Sequence, residues 1–121
     1  MIDYVIAPSA RRDIAEILAW TEENFGVLAM ERYQKLIGSA IKDIAENPNR
    51  LGSVSRPEIA KSCRTYHLFY SRKRAARAGA KVRKPRHFLL FRMTEQGALE
   101  IGRVLHDSMD LTEQIPEEYV R

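Results

Sequence analysis

A guanidinium and an imidazole lie close together in the last predicted strand of the chain. Arg103 and His106 come at the exit of this strand, beside Asp107 and Asp110. Both side chains donate hydrogen bonds to anions, so together they can form a surface that binds phosphate. They can instead pair with Glu100 and the two aspartates and close the edge of a sheet. The residues alone leave both interpretations open.

Two arginines on preceding strands extend this group. Arg64 and Arg92 are predicted in the strands that lead up to the one holding Arg103. Neighbouring strands can bring such side chains to one side of a sheet. We therefore take Arg64, Arg92, Arg103 and His106 as the candidate target-binding residues.

No other pattern in the chain indicates catalysis. It has no glycine-rich phosphate loop, no nucleophile elbow and no paired metal-ligand spacing, so no cofactor, metal or small-molecule substrate is expected. Cys63 is the single cysteine, which excludes an internal disulfide, and it is expected to be a small buried residue. His67 and His87 are expected to be half-buried polar groups within strands.

Residues 72–86, here called the basic segment, hold eight positive charges and no acid. The chain as a whole has a formal net charge of +4, so the other residues together carry −4. Such a segment attracts phosphate backbones with strong salt dependence, or it is a solvated hairpin loop that only keeps its tip soluble. No aromatic residue interleaves the cations, so stacking on single strands is not indicated. The cations are Arg72, Lys73, Arg74, Arg77, Lys81, Arg83, Lys84 and Arg86.

Length and composition indicate one soluble domain over residues 1–121. Hydrophobic residues make up 45% of the chain and charged residues 30%, which is ordinary for a globular protein with one core. The longest apolar runs, such as 88–91, fall far short of the roughly 20 residues that span a membrane. A cytoplasmic location is therefore expected.

The first half of the chain predicts a strand and a helical hairpin. Residues 2–7 are strand-like, and Pro8 opens a helix that runs to about Asn24. A second helical pattern begins near Val27 and ends at Asn47, because Pro48 disfavours helical geometry in the residue before it. The short connection between the helices implies an antiparallel hairpin with one apolar face, which needs a sheet to cover it.

The second half predicts three strands in an antiparallel meander. Residues 48–62 read as a crossing loop, followed by strands over 63–71, 88–93 and 99–105. Leu99, Ile101 and Leu105 are expected to share one face of the last strand. Strict alternation also places Arg103 on that face, which is unfavourable for a charge unless a bulge turns it away. The tail, residues 112–121, is too short to fold independently.

Large apolar side chains cluster around the predicted turn between the two helices. They either close one end of the core or leave an apolar groove for a partner. The residues are Trp20, Phe25, Leu28 and Tyr33.

Several segments resemble the RelE/ParE superfamily of toxins from type II toxin–antitoxin pairs. The Arg-Val-Leu-His ending at 103–106, with Met-Asp at 109–110, is closest to the ParE branch. Residues 63–70 are similar to the first hairpin strand of the family, and residues 4–17 to its amino-terminal strand and helix. The basic segment is longer than the turn usual in the family.

The resemblance implies an α+β fold and a toxin role. The fold would be an amino-terminal strand, then an antiparallel helical hairpin packed on an antiparallel sheet with a carboxyl-terminal three-strand meander. The chain would be neutralised in a tight complex with an antitoxin, an arm of which occupies the groove at Trp20, Phe25, Leu28 and Tyr33. The ParE branch implies poisoning of DNA gyrase without catalysis.

Two alternatives to gyrase poisoning stay open. The RelE branch implies a ribosome-dependent mRNA endoribonuclease, for which Arg64, Arg103 and His106 are the candidate catalytic residues. A basic nucleic-acid-binding protein without toxin activity is the third hypothesis.

Overall fold

A short strand and two long helices form the first part of the chain. The computed structural model describes residues 1–109 and Gln114. β1 (Tyr4–Ile6) leads into α1 (Pro8–Phe25) and α2 (Val27–Glu46), close to the predicted bounds. Asp110 and the predicted tail, apart from Gln114, lie outside the described residues.

Local sequence explains where the two helices begin and end. Pro8 opens α1, where no backbone N–H is needed. Gly26 separates the helices with a φ of +93°, a conformation that favours glycine, and its N–H donates to the carbonyl oxygen of Glu22. Asn47 is extended ahead of Pro48, which ends α2.

Four further strands complete one five-stranded sheet. They are β2 (Ser53–Ser55), β3 (Cys63–His67), β4 (His87–Met93) and β5 (Leu99–His106), and the spatial order is β1-β5-β4-β3-β2. The predicted antiparallel meander of β3, β4 and β5 is confirmed. β1 pairs with β5 in parallel, so the sheet is mixed. The α+β architecture predicted from the sequence is confirmed.

The helical hairpin covers one face of the sheet with a single core. On α2 the buried apolar residues recur at helical spacing, as predicted: Leu36, Ile37, Ala40, Ile41 and Ile44. From the sheet the same core receives Tyr66, Leu89, Phe91, Leu99, Ile101 and Val104. A smaller cluster of Ile59, Cys63 and Leu90 forms a separate group. Cys63 is buried as predicted, and burial raises its pKa to about 11.

Because of a bulge in β5, its last residues lie on the face of the sheet opposite to the one predicted. Leu90 pairs with Arg103 whereas Phe91 pairs with Ile101, so Gly102 is an extra residue on β5. The alternation is therefore shifted, and Val104 joins the main core where Leu105 was predicted. Leu105 is buried outside that core cluster, and Arg103 is turned away from it. A one-residue insertion moves every later side chain to the other face.

Two predicted segments between α2 and β4 are wrong in detail. The predicted loop 48–62 contains β2. The predicted strand 63–71 stops at His67, and a 3₁₀ helix (Leu68–Ser71) follows. The His67 ring accepts a hydrogen bond from the Phe69 N–H, and the Ser71 hydroxyl donates to the Asp43 carboxylate at 2.6 Å. These hydrogen bonds stabilise a turn where the alternation favoured a strand.

The basic segment is also not the hairpin loop that the sequence predicted. It begins with α3 (Arg72–Arg77), and residues 78–86 return from this helix to β4. Ala75 and Ala80 are fully buried, so small side chains anchor both parts against the body of the protein. In the described part of the chain, no helix is both long and apolar enough to cross a membrane.

Candidate functional site

Arg103 is held by an aspartate of α1. Its Nε and Nη2 donate to the two carboxylate oxygens of Asp13 at 2.7 and 2.9 Å, and Nη1 donates to the Gln114 carbonyl oxygen at 3.1 Å. Asp13 also accepts the Val104 N–H at 2.9 Å. The hydrogen bonds to Asp13 raise the pKa of Arg103. The alternative that Arg64, Arg92, Arg103 and His106 pair with Glu100, Asp107 and Asp110 holds in part. Arg92 lies 3.0 Å from Glu100 and His106 lies 3.6 Å from Asp107, whereas Arg103 is paired with Asp13.

The other two predicted arginines lie on opposite faces of the sheet. Residues that pair directly across antiparallel strands share a face. Arg64 pairs with Phe91 and donates to the Ser53 hydroxyl at 2.7 Å, whereas Arg92 pairs with Cys63 and donates to Glu100 at 3.0 Å.

His106 lies far along the sheet from Arg64. His106 is opposite His87, and Arg64 is opposite Phe91. His87 and Phe91 are four residues apart along β4, which corresponds to a distance of about 13 Å at the rise of a strand. The structure therefore does not bring Arg64, Arg103 and His106 together around one phosphate.

The three histidines of the chain gather instead at one end of the sheet. The His87 and His106 rings meet edge to face with centroids 5.3 Å apart. His67 lies 3.1 Å from the Asp107 carboxylate, and the Tyr33 hydroxyl lies 2.6 Å from His87 Nδ1. Within the described ranges, no group of three or more His, Cys, Asp or Glu is arranged to hold a metal ion. His67 and His87 are half-buried, as predicted.

Arg86 and Asp107 fix the charge at this end of the sheet. Arg86 Nε and Nη2 donate to the Asp107 carboxylate at 3.2 and 3.0 Å. These hydrogen bonds, followed by the one from His67, lower the pKa of Asp107 to about 2. Asp107 is therefore ionised at neutral pH. It directly follows β5 and contacts both Arg86 and His67 of β3. Sequence reasoning missed this group because its members are up to 40 residues apart.

Tyr33 belongs to the histidine group rather than to the exposed groove. Burial raises its pKa to about 12, so its hydroxyl keeps the proton and donates it to His87 Nδ1. The neutral His87 ring then carries its proton on Nε2. The pKa of His87 is lowered to about 4, mainly by burial and next by the charge of His106.

We expect acid to destabilise the protein through His87. The pKa of His87 has its ordinary value of 6.5 in the unfolded chain and a value of about 4 in the folded chain. Between these values the unfolded chain binds the extra proton, so the free energy of unfolding falls as the pH decreases from 6.5 to about 4 and levels off below. The loss is about 2 kcal/mol, below the full linkage value because solvent screens a half-buried ring.

Urea titrations across this pH range measure the effect. His87→Gln keeps an acceptor for the Tyr33 hydroxyl and is expected to remove most of the pH dependence. The lowered pKa of Asp107 affects stability below this window, because its contribution is lost between its ordinary value of 3.8 and about 2. An equal loss in wild type and His87→Gln would contradict the assignment.

Three of the four predicted groove residues are exposed at the turn between α1 and α2. Trp20, Phe25 and Leu28 have 57%, 68% and 62% of their surface exposed, and Val27 beside them has 49%. The Trp20 and Phe25 rings meet edge to face with centroids 5.7 Å apart. These four residues, here called the apolar patch, form an unusually hydrophobic exposed surface for a small protein.

The basic segment uses part of its charge to attach itself to the body of the protein. Arg74 contacts Asp43 at 2.8 Å and Glu46 at 3.1 Å, both on α2. Arg72 donates to the Arg83 carbonyl oxygen at 3.0 Å and covers the Phe69 ring at 3.9 Å. Arg74 thus holds α3 against α2, and Arg72 holds residues 78–86 against α3. The remaining cations of the basic segment face solvent.

An amino-terminal strand, a helical hairpin and a mixed five-stranded sheet are consistent with an α+β fold of the RelE/ParE type. Residues 4–111 match the family model described as the ParE toxin of the type II toxin-antitoxin system, parDE. The chain therefore belongs to the ParE toxin family.

Relatives of the same kind match over almost the whole chain. Toxin ParE1 of Mycobacterium tuberculosis, from strain CDC 1551 / Oshkosh and from strain ATCC 25618 / H37Rv, is 30% identical over 108 residues. Each alignment covers 89% of this chain and 92% of the relative. Membership of a toxin–antitoxin family implies an antitoxin partner.

Proposed function

We propose that this toxin acts in the cytoplasm by poisoning DNA gyrase, stabilising the state in which the enzyme has cleaved DNA. Membership of the ParE family is the observation that carries the proposal. The arrangement of the arginines supports it, because Arg103 is occupied by Asp13 and Arg64 by Ser53. A poison that acts by binding needs no general acid and no convergent phosphate ligands. Arg64, Arg92, Arg103 and His106 are its proposed target-binding residues, but Arg64 and Arg92 lie on opposite faces of the sheet, so one contact surface can include only one of that pair.

The proposed antitoxin docks on the apolar patch. Trp20 and Phe25 are large, exposed and in mutual contact, which suits the anchors of a helix laid into a groove. Tyr33 is the fourth residue predicted for this contact. Its hydroxyl is hydrogen-bonded to His87 instead of being available at the patch. Within the described residues, β1 is a terminal strand of the sheet and its Tyr4 and Val5 are exposed, so an extended arm of a partner can pair with it.

A supercoiling assay with purified gyrase tests both parts of the proposal. The full chain at micromolar concentration is expected to inhibit supercoiling and to trap cleaved DNA, and equimolar cognate antitoxin is expected to restore supercoiling. The paired change Trp20→Ala and Phe25→Ala is expected to leave poisoning intact and to weaken binding of the antitoxin at least about 30-fold. Leu51→Ala, which shortens an even more exposed apolar side chain elsewhere, is the control.

A complete lack of effect on gyrase would reject the target. Equal loss of antitoxin binding in the Leu51→Ala control would reject the docking surface.

A ribosome-dependent mRNA endoribonuclease is the second candidate, supported by the gathering of His67, His87 and His106 beside Arg86. Among these imidazoles, that of His106 is partly exposed and can contact a substrate as a general acid or base. This activity requires mRNA cuts at defined codon positions in a translating extract, lost in His106→Ala. Intact mRNA in that extract, together with poisoned gyrase, would exclude this candidate.

A further inference from the structure

The basic segment exposes cations that no carboxylate in the described part of the chain neutralises. Arg74 and Arg86 are used in ion pairs with α2 and with Asp107. Five others are exposed and have no acidic partner among residues 1–109 and Gln114: Lys73, Arg77, Lys81, Arg83 and Lys84. We propose that this surface binds the phosphate backbone of duplex DNA.

The backbone that carries these cations is held in place before any ligand arrives. α3 is attached to α2 through Arg74, and the return segment is attached to α3 by the hydrogen bond from Arg72 to the Arg83 carbonyl oxygen. Ala75 and Ala80 are fully buried on either side of the turn. A segment whose backbone is already held loses less conformational freedom on binding than a mobile loop does, which favours affinity.

The shape of the surface favours phosphate over an acidic peptide. An open cleft of about 750 Å³ runs between α3 and the return segment, lined by Arg72, Lys73, Ala76, Lys81, Val82, Arg83 and Lys84. Five of these residues are cations, and the other two are small aliphatic residues. A peptide helix or strand needs large apolar pockets or a free sheet edge, and the lining of this cleft offers neither.

The same lining favours a duplex over a single strand. Single strands are bound by stacking their bases on aromatic rings. No aromatic residue lines the cleft, and Arg72 covers the face of the nearest exposed ring, Phe69. The choice of DNA over double-stranded RNA rests on the proposed gyrase function, because gyrase presents duplex DNA to any protein bound to it.

Fluorescence anisotropy with the full chain and a labelled 20-bp DNA duplex, about two helical turns, tests the proposal. With about five phosphate contacts, log K is expected to fall with log salt at a slope of about −4. The triple variant Lys81→Gln, Arg83→Gln and Lys84→Gln is expected to lose about 100-fold in affinity at 0.1 M salt and to flatten the slope to about −2. Within the described part of the chain these three side chains form no hydrogen bond or ion pair, so the variant is expected to fold.

A matched variant separates the surface from the net charge. Arg32→Gln, Lys35→Gln and Lys42→Gln remove three exposed cations of α2 and change the net charge by the same amount. This variant is expected to bind the duplex within about threefold of wild type, since exposed charges beyond the Debye length contribute little. Equal weakening in both triple variants would overturn the proposal.

Competing ligands give the other decisive outcomes. Single-stranded DNA, duplex RNA of the same sequence and a glutamate-rich peptide are each expected to bind more weakly than the DNA duplex. Tighter binding of any one of them would overturn the assignment of the surface. Binding of the duplex without gyrase poisoning would reject the proposed function and leave this inference standing. Poisoning without duplex binding would reject the inference alone.

Discussion

Replacing Asp43 with alanine is expected to lower the free energy of unfolding by about 4 kcal/mol. The carboxylate is about one-tenth exposed, accepts hydrogen bonds from Ser71 at 2.6 Å and Arg74 at 2.8 Å, and forms an ion pair with Arg50 at 2.6 Å. The Tyr66 hydroxyl joins the same network, 2.8 Å from Ser71 and 2.9 Å from Arg50. Without Asp43, the buried Ser71 hydroxyl loses its acceptor, and the partly exposed guanidinium groups of Arg50 and Arg74 lose their buried carboxylate.

The size of this effect follows from burial. An exposed ion pair contributes about 0–1 kcal/mol, whereas breaking a buried one leaves an uncompensated charge and costs several times more. A domain of this size is stable by about 5–15 kcal/mol, so the variant loses a large share of its stability. The melting temperature is expected to fall by about 12–20 °C.

Thermal unfolding followed by circular dichroism measures this loss. Glu46→Ala is the control, because Glu46 is the exposed second partner of Arg74, and it is expected to cost less than 1 kcal/mol. Comparable melting temperatures for Asp43→Ala and Glu46→Ala would show that the buried network is not a major source of stability. Since Asp43 also anchors α3, the variant is expected to loosen the basic segment before the rest of the fold.

Asp13→Ala is the second large effect, with an expected loss of about 3 kcal/mol. Asp13 accepts two hydrogen bonds from Arg103 and one from the Val104 N–H, and its side chain is only 11% exposed. The change leaves a partly buried guanidinium without its partner and an unpaired backbone donor at the edge of β5. Both penalties act at the point where α1 packs on the sheet.

A double-mutant cycle with Arg103→Met tests this account. Removing both charged groups is expected to recover about half of the loss, because the guanidinium no longer needs an acceptor while the Val104 N–H still does. Glu16→Ala, an exposed acid on the same helix, is expected to stay within about 0.5 kcal/mol of wild type. Strictly additive losses in the double variant would contradict a direct Asp13–Arg103 interaction.

The same cycle separates two roles for Arg103. The sequence presents it as a target-binding residue, and the structure gives it a partner on α1. If the refolded double variant still poisons gyrase, Arg103 positions α1 against β5 rather than contacting the target. Loss of poisoning at full stability would instead assign Arg103 to the target surface.

The predicted elements that the structure confirms are those with strong local patterns. The spacing of Leu36, Ile37, Ala40 and Ile44 depends only on helical geometry, so it predicts the buried face of α2 without knowledge of the fold. Gly26 and Pro48 set the helix ends through their own backbone preferences. The resemblance of the last strand to the ParE family lies in contiguous residues and is equally independent of tertiary structure.

By itself, then, the sequence determined the helical hairpin, the three-strand meander, the lone buried cysteine and the uneven charge. Only the tertiary structure decided that Asp13 neutralises Arg103, that β1 runs parallel to β5, that a bulge turns Arg103 out of the core, and that the basic segment starts as a helix. Periodicity and backbone preference act over a few neighbouring residues. The partner of a charge and the direction of a strand depend on segments up to 90 residues away that meet only when burial makes an unpaired polar group costly.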